Sequence, residues 1–197
     1  MKTDGRRAAS TAATHSAIVE AGRELLATRE WRHFTLEAVA ARAGVTRMTV
    51  YNQVRSKHGL LDAVLTEVTA RAGMDQLLTT TRDLDPMAAR SAIVEQTCRF
   101  WHAERLVLRP LFGLAAADQQ VAATLAERER WRRDQLEQLI DRLAAEAPAD
   151  RRFDRPAVLA GVVAVTSFPT YDALGELADD PAAAAKVVEH LVVSLTG

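Results

Sequence analysis

The sequence predicts an all-α protein of about nine helices, with an N-terminal three-helix unit containing a helix-turn-helix and a C-terminal helical bundle. Between residues 34 and 57, two short segments each carry an N-cap residue and an apolar face. Residues 87–104 and 118–147 place apolar side chains at helical spacing. Residues 156–168 and 182–195 are broadly apolar, which indicates helices covered on more than one side.

Composition places the chain among ordinary folded proteins, because 48% of its 197 residues are hydrophobic and 26% are charged. No apolar run reaches the roughly 18 residues that span a bilayer, and the first residues lack the apolar core of a secretory leader. The single cysteine, Cys98, forms no intrachain disulfide, as expected in a reducing compartment. We therefore expect a cytoplasmic protein without a membrane segment.

Charge is distributed unevenly along the chain. Residues 1–60 hold ten Lys and Arg against five Asp and Glu, whereas the remainder holds fifteen against twenty-one. A basic N-terminal region on an acidic body favours attraction of phosphate at one end of the molecule. Solvated charges clustered by chance are the alternative interpretation of the composition alone.

The first helix is predicted from about Thr14 to Ala27, after a flexible basic tail at residues 1–10. Thr35 is a suitable N-cap for the second helix, and Gly44 stands where a positive φ would close it. Thr46 repeats the capping signal for a third helix. Two capped helices with a short glycine turn between them are typical of a helix-turn-helix.

Several residue types at fixed spacing resemble the DNA-binding motif of TetR-family transcriptional regulators. The residues that carry the resemblance are Thr35, Val39, Ala40, Ala43, Gly44, Val45, Thr46, Val50, Tyr51, Ser56 and Lys57. Met48, Gln53 and Val54 depart from the residues that are common in the family, so the operator sequence cannot be transferred. The resemblance covers the first third of the chain, with the motif at residues 35–54. It implies a DNA-binding domain at 1–57 and an effector-binding and dimerisation domain at 58–197.

The third helix is the predicted recognition helix. Its Arg47 and either Asn52 or Gln53 suit guanine and adenine edges in the major groove, and Met48 suits a thymine methyl group. The resemblance implies phosphate contacts by Thr35, Tyr51 and Lys57. The complete predicted DNA-binding set is Thr35, Thr46, Arg47, Met48, Thr49, Tyr51, Asn52, Gln53 and Lys57.

Two helices near the C-terminus have more apolar surface than one chain can cover. A two-fold DNA site also requires two DNA-binding domains, here called heads, about 34–36 Å apart. We therefore expect a homodimer, as the resemblance also implies. The alternative is that these helices close a monomeric core. The predicted interface residues are Ala160, Gly161, Ala164, Val188, Leu191, Val192 and Leu195.

The resemblance also implies that the domain at 58–197 binds a small-molecule effector, and that the protein then dissociates from double-stranded DNA. Repression of transcription is therefore the expected function, and activation is the alternative. The predicted pocket residues are Cys98, Trp101, His102, Phe112, Thr166, Phe168 and Tyr171, each of which could equally be core. Pro110 and Gly113 predict a short helix or a kinked corner, and Pro169 predicts a kink that opens a cavity.

An enzyme and a protein-binding adaptor are the other classes to consider. The sequence contains no phosphate-binding glycine loop, no nucleophile elbow and no metal-ligand spacing, so we predict neither a catalytic nor a metal site, and no cofactor. Cys98 and His102, one turn apart, could be drawn as nucleophile and base, but core packing is the simpler interpretation. The basic N-terminal region and the groove-facing Arg47 argue against an adaptor.

Overall fold

The structure is a computed structural model that describes residues 2–28, 34–146 and 154–196. Within these ranges it contains ten α-helices, one 3-10 helix at Gly175–Asp179 and no strand, which confirms the all-α prediction. The helices are α1 (Lys2–Ala27), α2 (Leu36–Ala43), α3 (Arg47–Val54), α4 (Lys57–Arg71), α5 (Leu77–Thr80), α6 (Pro86–Ala115), α7 (Gln119–Glu146), α8 (Arg155–Val165), α9 (Phe168–Asp172) and α10 (Pro181–Thr196). None of the helices in the described part of the chain is long and apolar enough to cross a membrane.

The chain divides into two compact units. The first consists of Met1–Val68 with Leu106–Leu125, and the second of Thr69–Arg105 with Ala126–Gly197. The first unit extends beyond the boundary that we placed at residue 57, because most of α4 buries its apolar face there. A Cβ atom on Gly22 of α1 would lie 3.2 Å from Cγ2 of Val64 on α4, so the two helices pack closely.

Helix α1 begins at Lys2, twelve residues before the predicted start at Thr14, and this corrects the prediction of a flexible tail at residues 1–10. The segment from Ala8 to Ala13 holds four alanines, the residue with the highest helix propensity. In the same segment the Thr14 hydroxyl donates to the carbonyl of Ser10. Further along α1, Ile18, Leu25 and Leu26 are almost fully buried in the first unit. The sequence also predicts that Trp31 and Phe34 close the corner after the first helix, and Trp31 lies outside the described residues.

Helix α6 continues through Pro110, where the sequence predicted a short helix or a corner. A proline in a helix removes one hydrogen bond, here to the carbonyl of Leu106 four residues earlier. Leu106 is 66% exposed, so this turn of the helix faces water. The helix therefore tolerates Pro110 five residues before its end.

Pro169 starts a helix rather than kinking one. Helix α8 ends at Val165, and Ser167 then acts as the N-cap of α9, with its hydroxyl accepting from the amide of Thr170. Pro169 occupies the first turn of α9, where its missing N–H has no intrahelical partner to lose. Pro169 therefore gives no kink from which to infer a cavity.

Gly59 makes the tightest backbone approach in the first unit. A Cβ atom there would lie 2.1 Å from the carbonyl oxygen of Val54, the last residue of α3. We predict that Gly59→Ala lowers the free energy of unfolding by about 1–3 kcal/mol, because the added methyl group forces backbone atoms apart. Urea denaturation followed by circular dichroism measures this change.

Gly113→Ala is the matched control, because no heavy atom lies within 4 Å of the position that its Cβ would take. Alanine within a helix should raise the unfolding free energy by about 0.5–1 kcal/mol relative to glycine. Equal stability changes for the two variants would contradict the close α3–α4 approach.

Candidate nucleic-acid interface

Helix α2 is fixed at both ends by the residues that the sequence indicated. Thr35 precedes it in extended conformation, and its hydroxyl accepts from the amide of Ala38 at 3.1 Å. Gly44 follows it with a φ of 66°, a conformation that glycine adopts without strain. The amide of Val45 then donates to the carbonyl of Ala40, which closes the turn that leads to the next helix.

Helix α3 begins at Arg47, directly after Thr46, the second predicted N-cap. The Thr46 hydroxyl accepts from the amide of Thr49 at 3.1 Å. Val50 is fully buried and Val54 is 6% exposed, so these two valines attach α3 to the core of the first unit. The opposite face of the helix consequently points away from that core.

The predicted base-reading residues lie on this outward face. Arg47 and Asn52 are exposed, Met48 is 65% exposed, and Thr49 and Gln53 are partly exposed. Among the predicted phosphate contacts, Tyr51 is 48% exposed and Thr35 is also exposed. The structure thus brings the predicted DNA-binding residues of α3 to one accessible surface.

Arg47 has a partner that the sequence did not indicate. Its Nε atom lies 3.2 Å from Oε1 of Glu37 in α2, and both side chains are about 70% exposed. An ion pair this exposed contributes little to stability and is easily exchanged. Arg47 therefore remains available to another hydrogen-bond acceptor.

The connection between α3 and α4 is tight. Arg55 ends α3 with a φ of 63°, which is unusual for a residue other than glycine, and its amide donates to the carbonyl of Tyr51. Ser56 caps α4 by accepting from the amide of Gly59 at 3.0 Å. Because Lys57 is the first residue of α4, this turn fixes the position of the Lys57 backbone relative to α3.

Lys57 is paired inside the first unit. Its Nζ atom lies 3.1 Å from Oδ2 of Asp118, the residue before α7. The hydrogen bond from Lys57 is the main reason that the pKa of Asp118 lies below its usual range. No local sequence pattern indicates this contact, since the two residues are 61 positions apart.

The predicted effector residues mostly form core packing. In the second unit, Trp101 donates from Nε1 to the carbonyl of Thr166 at 3.0 Å and meets Phe168 edge to face at 5.7 Å. Cys98 and Tyr171 are each 1% exposed, and burial raises the pKa of both to about 12, so both are protonated at neutral pH.

The two remaining predicted pocket residues do not join this group. His102 is exposed, with Nδ1 3.1 Å from the carbonyl oxygen of Ala178, and Phe112 belongs to the first unit. In the part of the chain that the structure describes, no three His, Cys, Asp or Glu side chains are grouped as metal ligands.

A cavity of about 30 Å³ lies in the second unit, and of the predicted pocket residues only Thr166 lines it. Its other walls are residues that the sequence does not indicate for this role: Met74, Leu77, Ile93, Thr97, Trp131, Arg132, Gln135 and Leu136. Arg132 is held by Glu129, by the Thr166 hydroxyl at 2.7 Å and by the Val163 carbonyl at 2.8 Å. The position of Trp131 outside the apolar stripe of α7 was the one available signal.

The predicted interface residues fall into two groups. Ala160, Ala164 and Leu191 are exposed, and Gly161 and Leu195 are partly exposed. Val188 and Val192 are only 2% and 1% exposed because α10 buries them in the second unit itself, so they are corrected to core residues. Gly161 also serves packing within the chain, since a Cβ there would lie 3.0 Å from Cδ1 of Leu195.

Residues 18–64 match the family model described as "Bacterial regulatory proteins, tetR family". Over 52 residues the chain is 44% identical to the HTH-type transcriptional regulator AlkX of Mycobacterium tuberculosis. That match covers 26% of this chain and 25% of AlkX, so the chain spans about a quarter of that relative's length.

Solved structures share the fold over most of the chain. A putative TetR-family transcriptional regulator from Rhodococcus sp. superposes with a TM-score of 0.75 at 16% identity, over 93% of this chain and 98% of that one. A putative transcriptional regulator from Saccharomonospora viridis in complex with choline gives 0.70 at 15%, over 92% and 96%. The helix-turn-helix and the match at residues 18–64 thus identify an N-terminal region of the TetR type, and the chain as a whole shares the helical fold of these solved structures.

Proposed function

We propose that this protein is a ligand-responsive transcriptional repressor that binds a palindromic operator as a homodimer and is released from it by a small molecule. The observation that carries the proposal is the outward face of α3, which presents Arg47, Met48 and Asn52 next to the exposed Tyr51. The protein acts in the cytoplasm on double-stranded DNA and is not an enzyme; Cys98, the candidate nucleophile, is buried and protonated at neutral pH.

Base reading and phosphate binding are assigned to different residues of the same surface. An α-helix fits the major groove, where arginine bonds the O6 and N7 atoms of guanine and asparagine bonds the edge of adenine. Arg47 and Asn52 are the candidates for these roles, with Gln53 and Met48 beside them. Thr35, Tyr51 and Lys57 are the candidates for sequence-independent contacts with phosphate.

Selection of bound duplexes from a random pool tests the proposal directly, with a palindrome as the expected product. Arg47→Ala should then lose about 1–3 kcal/mol of discrimination at one base pair of each half-site. Lys57→Ala should weaken binding to all duplexes alike and reduce the slope of log affinity against log salt by about one per head. Fluorescence anisotropy with operator variants measures both effects.

Equal losses from both substitutions on every duplex would show that Arg47 contacts phosphate instead of a base. Wild-type protein that is folded and yet retains no duplex at low ionic strength would remove the DNA-binding proposal altogether.

Dimerisation is assigned to the exposed faces of α8 and α10. Ala160 and Ala164 give α8 a flat exposed strip, and Leu191 is 38% exposed on α10. A second copy of the chain would cover these apolar atoms and supply the second head that a two-fold DNA site requires.

Leu191→Glu should therefore produce monomers, because dimerisation would bury an unpaired carboxylate. Light scattering after size-exclusion chromatography measures the mass. Ala182→Glu is the control, since position 182 is exposed and lies about 180° around α10 from position 191. A dimeric, folded Leu191→Glu variant would place the interface elsewhere.

Effector binding is assigned to the cavity lined by Trp131 and Thr97. Its volume of about 30 Å³ holds one or two water molecules, far below the roughly 300–1,000 Å³ of ligand pockets. An effector must therefore bind a more open conformation. Apolar walls dominate, and Arg132 already donates to three partners, so a mostly apolar molecule is favoured. The bound choline of the Saccharomonospora viridis regulator supports small-molecule binding by this fold.

Compounds that release the selected duplex should also raise the melting temperature of the free protein. The Trp131→Ala variant should need about ten times more compound for the same rise in melting temperature, because the substitution removes a large aromatic side chain from the cavity wall. Leu106→Ala, which truncates a 66% exposed side chain of the first unit, is the control. Undiminished compound binding by the Trp131 variant would move the effector site away from this cavity.

A further inference from the structure

The contact between Lys57 and Asp118 places a carboxylate at a predicted phosphate-binding residue. The distance from Nζ to Oδ2 is 3.1 Å, and the two side chains are 35% and 29% exposed. Both residues belong to the first unit, the one that contains the helix-turn-helix. The cation at the start of α4 is thus already neutralised in the absence of DNA.

Asp118 is held in place by contacts of its own. Its Oδ1 atom accepts from the amides of Gln120 at 3.0 Å and of Val121 at 3.4 Å, so the carboxylate caps the start of α7. Its lowered pKa keeps it charged at neutral pH. The carboxylate that faces Lys57 is therefore fixed by the backbone of α7.

A second contact joins the same two helix starts. Nδ1 of His58, the residue after Lys57, lies 2.7 Å from the hydroxyl of Thr124, which is 1% exposed. The Thr124 hydroxyl also donates to the carbonyl of Gln120 within α7. The first turn of α4 and the second turn of α7 are therefore joined next to the Lys57–Asp118 pair, which keeps Asp118 opposite Lys57.

A lysine carries one positive charge, and a DNA phosphate competes with Asp118 for it. We propose that Asp118 competes with DNA phosphate for Lys57, and so sets the affinity of the head for DNA without contacting DNA itself. This inference rests on the proposed DNA-binding function.

Asp118→Asn tests the competition with little change to the fold, because asparagine caps a helix about as well as aspartate and carries no charge. The expected result is tighter binding, by about two- to fivefold for each head that engages, as estimated from the strength of a partly exposed ion pair. The probes are a fluorescent duplex selected with wild-type protein and a duplex of random sequence. The affinity for both duplexes should rise by the same factor, since phosphate carries no sequence information.

Two controls separate this competition from a general change in charge. Glu67→Gln removes one negative charge about 15 Å further along α4, and it should change affinity much less. In a Lys57→Ala background, Asp118→Asn should give no comparable gain, because the competed cation is absent. A melting curve for each variant confirms that it is folded.

Unchanged or weaker binding by folded Asp118→Asn protein would overturn the inference, and so would an equal gain in the Lys57→Ala background. If Asp118→Asn protein is unstable, Asp118→Ser, which also caps a helix without charge, replaces it in the same cycle. Binding of wild-type protein to the selected duplex separates the two proposals. If wild-type protein does not bind, the proposed DNA-binding function is wrong. If wild-type protein binds and Asp118→Asn does not bind more tightly, only the role of Asp118 is wrong.

Discussion

The orientation of α3 depends on the burial of Val50 and Val54, because a helix of eight residues has too little internal stability to persist alone. These two side chains fix one face of α3 against the first unit. The Thr46 cap and the left-handed Gly44 determine where the helix begins. Everything that we assign to DNA recognition follows from this attachment, since it decides which side chains remain outside.

The end of α3 is constrained as strongly as its beginning. Val54 presents its carbonyl to Gly59, Arg55 takes a positive φ, and Ser56 caps the next helix. Lys57 therefore follows the recognition helix through a turn with little freedom, and its charge meets the cap of α7. The same few residues thus determine both the backbone geometry and the charges at the start of α4.

The helix-turn-helix could be predicted closely because its signals are local. Thr35, Gly44, Thr46 and Ser56 each act through atoms within about four residues, so their roles are readable from the sequence. The partner of Lys57 could not be predicted, since it lies 61 residues away and depends on the packing of helices.

The second unit could be predicted as helical but not in its detail. Aromatic residues at helical spacing gave no means to distinguish a cavity wall from core, and Trp101 and Phe168 are core, whereas Trp131 lines the cavity. Val188 and Val192 belong to the same broad apolar face as Leu191 in the sequence. Only the packing of α10 within the unit shows that the two valines are buried and that Leu191 is exposed. Pro110 and Pro169 read alike as helix breakers, yet one is accommodated within a helix and the other begins one.

The small volume of the cavity has a consequence for the sensitivity of the proposed effector response. If only a minor fraction of molecules is open at any moment, the apparent dissociation constant exceeds the intrinsic one by the inverse of that fraction. Substitutions that loosen the packing around Leu136 would then raise the response to every effector together, without altering any atom that touches the ligand. The dose at which such a regulator responds is thus a property of its closed interior as much as of its binding contacts.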